Sequence, residues 1–207
     1  MKNDKYTQRS YDFEMRAAPE EEGVIEGRPI VFESKTDLGF FDEIIHRGAL
    51  DKTNLKDVRF LVNHNTDMVP LARSRNNNEN STMRLMPDKD GLKIRLKMDI
   101  ENNTDARSLY SAIKRGDITG MSFMFSINGE EWEELESDHP IRHIRDIGEV
   151  VEVSAVTFPA YEATEINARA KDELESSRAL DSARSVAAPD GDDALELQKL
   201  KNQNKTY

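Results

Sequence analysis

Gly120-Met121-Ser122-Phe123-Met124-Phe125 places one small hydroxyl inside a run of large apolar side chains, shortly after a glycine. Read as a strand, its side chains alternate between two faces. Ser122 then shares a face with Met124, while Met121, Phe123 and Phe125 pack on the other. A serine held on a rigid strand can serve as a nucleophile if a histidine reaches it. The chain offers one upstream in Leu61-Val62-Asn63-His64-Asn65.

Working outward, the same alternation marks other strands. Tyr11, Phe13 and Met15 alternate with polar residues, and further strands are expected at Ile30-Val31-Phe32, Phe40 to Ile45 and Val58 to Val62. His46 to Asp51 reads as a turn into a short helix. Met83-Leu85 and Leu92-Ile94-Leu96-Met98 flank Asp88-Lys89-Asp90-Gly91, the mark of a hairpin. The best helix follows: Asn103 or Thr104 caps it, Ala106, Leu109, Tyr110 and Ile113 form one face, and Gly116 ends it. An acidic hairpin around Trp132 leads to the β-branched run Val150 to Val156, which Pro159 breaks. Many short strands and one or two helices predict an α+β chain, mainly an antiparallel β-barrel surrounded by a few helices.

Composition limits the chemistry. With 207 residues there is room for one domain with a real core and an appendage. No cysteine is present, which removes disulfides, thiolate metal sites and a thiol nucleophile. The formal charge of −11 argues against general affinity for nucleic acid. No apolar run is long enough to cross a bilayer, so no membrane role is expected and the chain reads as soluble and intracellular. From Ala168 onward Ile, Phe, Trp and Met are missing, and 7 of the 29 basic and 8 of the 40 acidic residues lie there. The acidity therefore belongs to the part that folds. The expected organisation is a flexible N-terminus over 1–9, a domain over 10–167 and a mobile or helical extension over 168–207.

His64 ends an apolar strand and opens a polar loop, and imidazole titrates near neutral pH, as a general base requires. Edge histidines also serve as simple hydrogen-bonding groups, and that reading stands beside the catalytic one. His46, His139 and His143 sit in turns or acidic loops, and Pro140 disfavours a helical metal pair from the last two. Glu152 lies between Val151 and Val153, where an unpaired buried carboxylate would cost several kcal/mol. Its partner is an arginine, such as Arg142 or Arg145, or the His64 imidazole; Glu149 and Asp146 are rivals for the histidine.

Several blocks together resemble the prohead protease family of tailed phages, which matures HK97-like capsids. Gly23-Val24-Ile25-Glu26-Gly27-Arg28-Pro29-Ile30-Val31-Phe32 resembles its opening strand pair. Phe41 to Leu50 resembles its E-x-I-x-x-G-A-F turn, with Leu50 in place of the usual aromatic. Phe60 to Asn65, continuing through Pro70-Leu71-Ala72-Arg73-Ser74, resembles the histidine block, with Ala72 where glycine is more usual. Gly116 to Phe125 resembles the serine block, and Glu152 to Tyr161 the closing one. The likeness runs in order from about residue 10 to 167.

The family is similar to the herpesvirus assemblins, and the resemblance implies a serine endopeptidase on an assemblin-like barrel. Ser122 would be the nucleophile, His64 the base and Glu152 the third member, with no cofactor and no metal. It further implies that the substrate is a scaffolding segment of the major capsid protein, and in time the protease itself. Its place would be the procapsid in the host cytoplasm, and homodimerisation is possible. Two other classes are compatible with the residues: a non-catalytic capsid assembly factor, and a small-molecule esterase or amidase.

Overall fold

The computed structural model describes residues 6–11, 15–157 and 166–187. Phe13 and Pro159 lie outside them, as do Leu195, Leu197 and Leu200, whose spacing suggests a short helical face. Two strands organise the fold: β10 (Gly120–Glu133) and β11 (Ile141–Val156), a long antiparallel hairpin. The alternation read from the sequence is realised in β10. Met121, Phe123 and Phe125 are fully buried in the core, and Ser122 faces the other way, also fully buried.

β11 supplies the rest of the larger sheet. Along the edge away from β10 it pairs in parallel first with β5 (Asp42–Ile45), at Ile141 to Ile144. It then pairs in parallel with β6 (Asp57–Val62), at Glu152 to Ala155. Between them the chain arches over residues 46–56. There the Ile147 amide donates to the Ala49 carbonyl at 2.9 Å, and the Thr53 hydroxyl donates to the Ile147 carbonyl at 2.7 Å. This arch is a series of turns and contains no helix, because Gly48 adopts φ +89° and interrupts helical geometry. The edges are filled by β4 (Lys35–Asp37) on β5, β7 (Ala72–Arg75) on β6 and β1 (Thr7–Tyr11) on β10. β1 reaches back into the segment read as a flexible N-terminus.

The second sheet runs β2-β3-β9-β8, from Arg16–Ala17, Val24–Val31, Gly91–Lys97 and Met83–Asp88. The hairpin expected at residues 88–91 joins β8 to β9. Gly91 is required there: at φ +144° any side chain would run into the Ile30 carbonyl. Ile25, Ile30, Leu92, Ile94 and Leu96 from this sheet join Phe60, Phe123, Phe125 and Val153 from the other in one core.

The closed barrel anticipated from the strand count is not formed; among the described residues there are two sheets. A backbone bond joins them where the Thr82 amide, just before β8, donates to the Arg73 carbonyl of β7 at 3.0 Å. No ladder continues from there. The register shifts between Met124 and Glu130 bend the hairpin and give β11 two partners in series, which spends its edge on β5 and β6.

Two helices complete the α+β fold. α1 (Thr104–Arg115) buries the expected face of Ala106, Leu109, Tyr110 and Ile113. Asn103 is its cap: its side chain accepts the amides of Asp105 at 2.9 Å and Ala106 at 3.2 Å. Gly116, at φ 81°, closes the other end. Asn103→Ala is expected to lower stability by about 1 kcal/mol, read as a shift in the denaturant midpoint at unchanged m-value. α2 (Ile166–Ala187) lies mostly within the segment expected to be a mobile or helical extension. Its far end touches the hairpin, where the Arg184 guanidinium donates to the carbonyls of Leu135 at 3.1 Å and Ser137 at 2.8 Å.

Candidate active site

Ser122, His64 and Glu152 are separated by at least 30 positions in the chain and converge at one end of the large sheet. The Ser122 and Glu152 strands are neighbours: β10 and β11 pair so that Ser122 opposes Ser154 and Met124 opposes Glu152. β6 lies on the far side of β11 and delivers His64 just past its end. The turn that aims His64 holds Asn63 at φ 50° and His64 at φ 55°. Left-handed backbone at two non-glycine residues costs on the order of 1 kcal/mol or more each, and Asn and His tolerate it better than most.

Specific bonds hold the turn. The Asn63 amide donates to the Ala155 carbonyl at 2.9 Å, and the Asn63 side chain exchanges bonds with Thr157 at 2.9 and 3.0 Å. The His64 amide donates to the Ser154 hydroxyl at 3.1 Å.

His64 Nε2 then lies 2.6 Å from Ser122 Oγ. On the other side of the ring, Nδ1 meets Oε1 of Glu152 in a short hydrogen bond. Glu152 is only 3% exposed, and its second oxygen accepts the Ser154 hydroxyl at 2.6 Å. A carboxylate on Nδ1 favours the tautomer with its proton there, leaving Nε2 free to accept the Ser122 proton. The partner of Glu152 is therefore the imidazole; its rival Glu149 instead accepts from the Tyr6 hydroxyl at 2.9 Å and the Asn54 amide at 3.0 Å. Arg142 is also elsewhere, on Glu130 and Glu43.

Sequence reasoning passed over Ser154. Alternation within β11 puts it on the face of Glu152, and a fully buried serine two residues from a buried carboxylate is the signal that identifies it. Ser154 ties the carboxylate to the backbone of the histidine. Ser154→Ala removes a hydrogen bond to a charged group and is expected to lower kcat about 10-fold with little change in KM, measured by steady-state kinetics on a peptide substrate.

The remaining histidines lie apart from this cluster. His143, expected in a loop, is in β11, where its Nδ1 is 2.8 Å from Nε2 of His46. Glu33 and Glu133 flank that pair at 3.0 Å each. His139 approaches Asp42 at 3.2 Å and Asp37 at 3.7 Å, on an exposed rim where Lys35 also pairs with Asp42.

A hydroxyl, an imidazole and a carboxylate in series are the arrangement that serine hydrolases use on many folds. Residues 10–178 match the caudovirus prohead serine protease family, and the chain belongs to it. It is thus a serine peptidase of phage capsid maturation at the level the family defines. No curated protein and no solved structure matches the chain significantly.

Proposed function

We propose that this chain is the endopeptidase that removes the scaffolding segment of the major capsid protein inside the procapsid, in the host cytoplasm. Ser122 is its nucleophile, His64 its general base and Glu152 the carboxylate that positions the imidazole. The observation that supports this best is the continuous bonded series from Ser122 Oγ through both ring nitrogens of His64 to a buried Glu152.

In the reaction, Ser122 Oγ attacks the carbonyl carbon of the scissile bond as its proton passes to Nε2 of His64. Glu152 stabilises the imidazolium without taking the proton. The imidazolium then protonates the leaving amine, and the C–N bond breaks. Water, deprotonated by the same imidazole, hydrolyses the ester and restores Ser122. The likeness to herpesvirus assemblins rests, in this reading, on the strand-borne serine and strand-end histidine alone. The extension from Ala168 tethers the enzyme among the capsid subunits or is itself trimmed, and a homodimer is compatible with either.

Co-expression of the chain with its phage's capsid subunit, read by intact mass, tests the proposal. A subunit shortened by one defined segment is expected. An untouched subunit beside a folded protease would refute the reading. Turnover of small esters without cleavage of polypeptide would favour an esterase instead.

A further inference from the structure

β1 lies against the free edge of β10 directly over the nucleophile. It runs antiparallel to β10, with Ser10 opposite Ser122 and Arg9 opposite Phe123. Its contacts with Ser122 are close: the Ser122 hydroxyl donates to the Arg9 carbonyl oxygen at 2.8 Å and accepts from the Ser10 hydroxyl at 2.9 Å. Ser122 is fully buried beneath this strand, so another polypeptide reaches it only when β1 leaves. An extended segment added to a sheet edge, with one carbonyl at the nucleophile, is how a protease holds a peptide.

The Arg9 side chain points to the opposite face and enters a built pocket. Its Nε and Nη2 donate to the two oxygens of Glu43 at 2.6 and 2.8 Å, and Nη1 donates back to the Gln8 carbonyl at 2.7 Å. Arg9 is 4% exposed and Glu43 1%. On the far side of Glu43, Arg142 approaches at 3.4 Å, but its guanidinium is mainly engaged by Glu130. The rings of Trp132 and Phe41 lie 5.6 and 5.9 Å from the Arg142 guanidinium and complete the wall.

Glu43 lies between two guanidiniums, that of Arg9 on both its oxygens and that of Arg142 at a longer distance. Burial pushes the Glu43 carboxyl up, and the two guanidiniums more than offset it, holding it below the ordinary carboxylate range. A carboxylate so buried requires a cation, and a guanidinium satisfies both its oxygens at once.

We propose that the Glu43 pocket selects a basic residue immediately before the bond to be cleaved, and that β1 presents Arg9–Ser10 of this chain as such a bond. The proposal rests on Ser122 being the nucleophile. Ser122 Oγ forms an ester with the Arg9 carbonyl carbon, and the Arg9–Ser10 C–N bond breaks. His64 delivers the proton taken from Ser122 to the Ser10 nitrogen. Water then hydrolyses the ester, its hydroxyl going to Arg9 and its proton returning through His64 to Ser122. Residues up to Arg9 depart, the new N-terminus at Ser10 comes away from β10, and the pocket opens to other chains. Ser10 lies opposite Ser122, so the residue after the cleaved bond sits beside the nucleophile.

The test has two arms, both using the full chain. In the first, the wild-type chain is purified and its N-terminus mapped by mass spectrometry. A new terminus at Ser10 is expected, absent from Ser122→Ala, retained in Arg9→Lys and lost in Arg9→Glu. In the second, peptides differing only before the cleaved bond (Arg, Lys, Gln or Glu) are turned over by the wild-type enzyme. Arg and Lys are expected to exceed Gln and Glu at least 100-fold in kcat/KM.

An intact Arg9–Ser10 bond in active enzyme overturns the self-processing half, and equal turnover of Arg and Gln peptides overturns the pocket. Capsid cleavage that depends on Ser122 but ignores basic residues would refute this inference and leave the proposed function standing. If no polypeptide is cut, both fall together.

Discussion

Alanine at position 122 will leave the capsid subunit whole and reduce peptide turnover by a factor on the order of 10⁴ to 10⁶. In the proposed mechanism this side chain supplies the oxygen that forms the ester, and among the described residues it is the hydroxyl on Nε2 of His64, at 2.6 Å. Ser10 lies 2.9 Å from Ser122, on the strand that the proposed self-processing displaces. The structural consequences of the change are small, because β10 keeps its backbone ladder and its core face of Met121, Phe123 and Phe125. The thermal midpoint should move by only a few degrees, so loss of cleavage with a retained fold isolates the chemistry. Near-normal cleavage by a folded Ser122→Ala chain would remove Ser122 from the mechanism.

Glu152→Gln is expected to lower kcat by roughly 10⁴ while KM stays within about threefold. The amide is isosteric and can accept the Nδ1 proton, but it carries no charge to stabilise the imidazolium and can also present its NH₂ to the ring, which favours the wrong tautomer. Ser154 keeps a partner, since its hydroxyl can accept from the new amide as readily as it donates to the carboxylate at 2.6 Å. The fold should therefore survive the change. Measuring kcat and KM separately decides the matter: a loss confined to KM, or none, would assign Glu152 to structure alone.

Much of this arrangement is legible in the residues. Alternation placed Ser122 away from the core face of its strand, and the same period put Glu152 where a buried carboxylate needed a partner. The cap at Asn103, the helix face from Ala106 to Ile113 and the hairpin at Gly91 follow from local rules that tertiary packing leaves in force.

What local pattern could not give is pairing. That β5 and β6 both lie parallel to β11, one after the other, depends on contacts nearly 100 residues apart in the chain and on bulges in β10 that strand propensity does not register. The same blindness produced the barrel, since a count of strands does not say whether the last edge is joined to the first.

Glu43 is the instructive omission. It stands among Phe41, Ile44 and Ile45 much as Glu152 stands among valines, and the same question about a buried carboxylate would have led to Arg9. Arg9 itself lay in a segment whose polarity suggests no structure; its strand exists because β10 offers an open edge and Glu43 a countercharge.

Locating covalent modification by a fluorophosphonate in the wild-type chain while it turns over peptide decides whether Ser122 is the nucleophile. A single adduct on Ser122 is expected, formed in step with loss of peptidase activity, slowed by competing peptide and abolished in His64→Ala. An adduct on another residue, or cleavage that continues after Ser122 is fully modified, would contradict it.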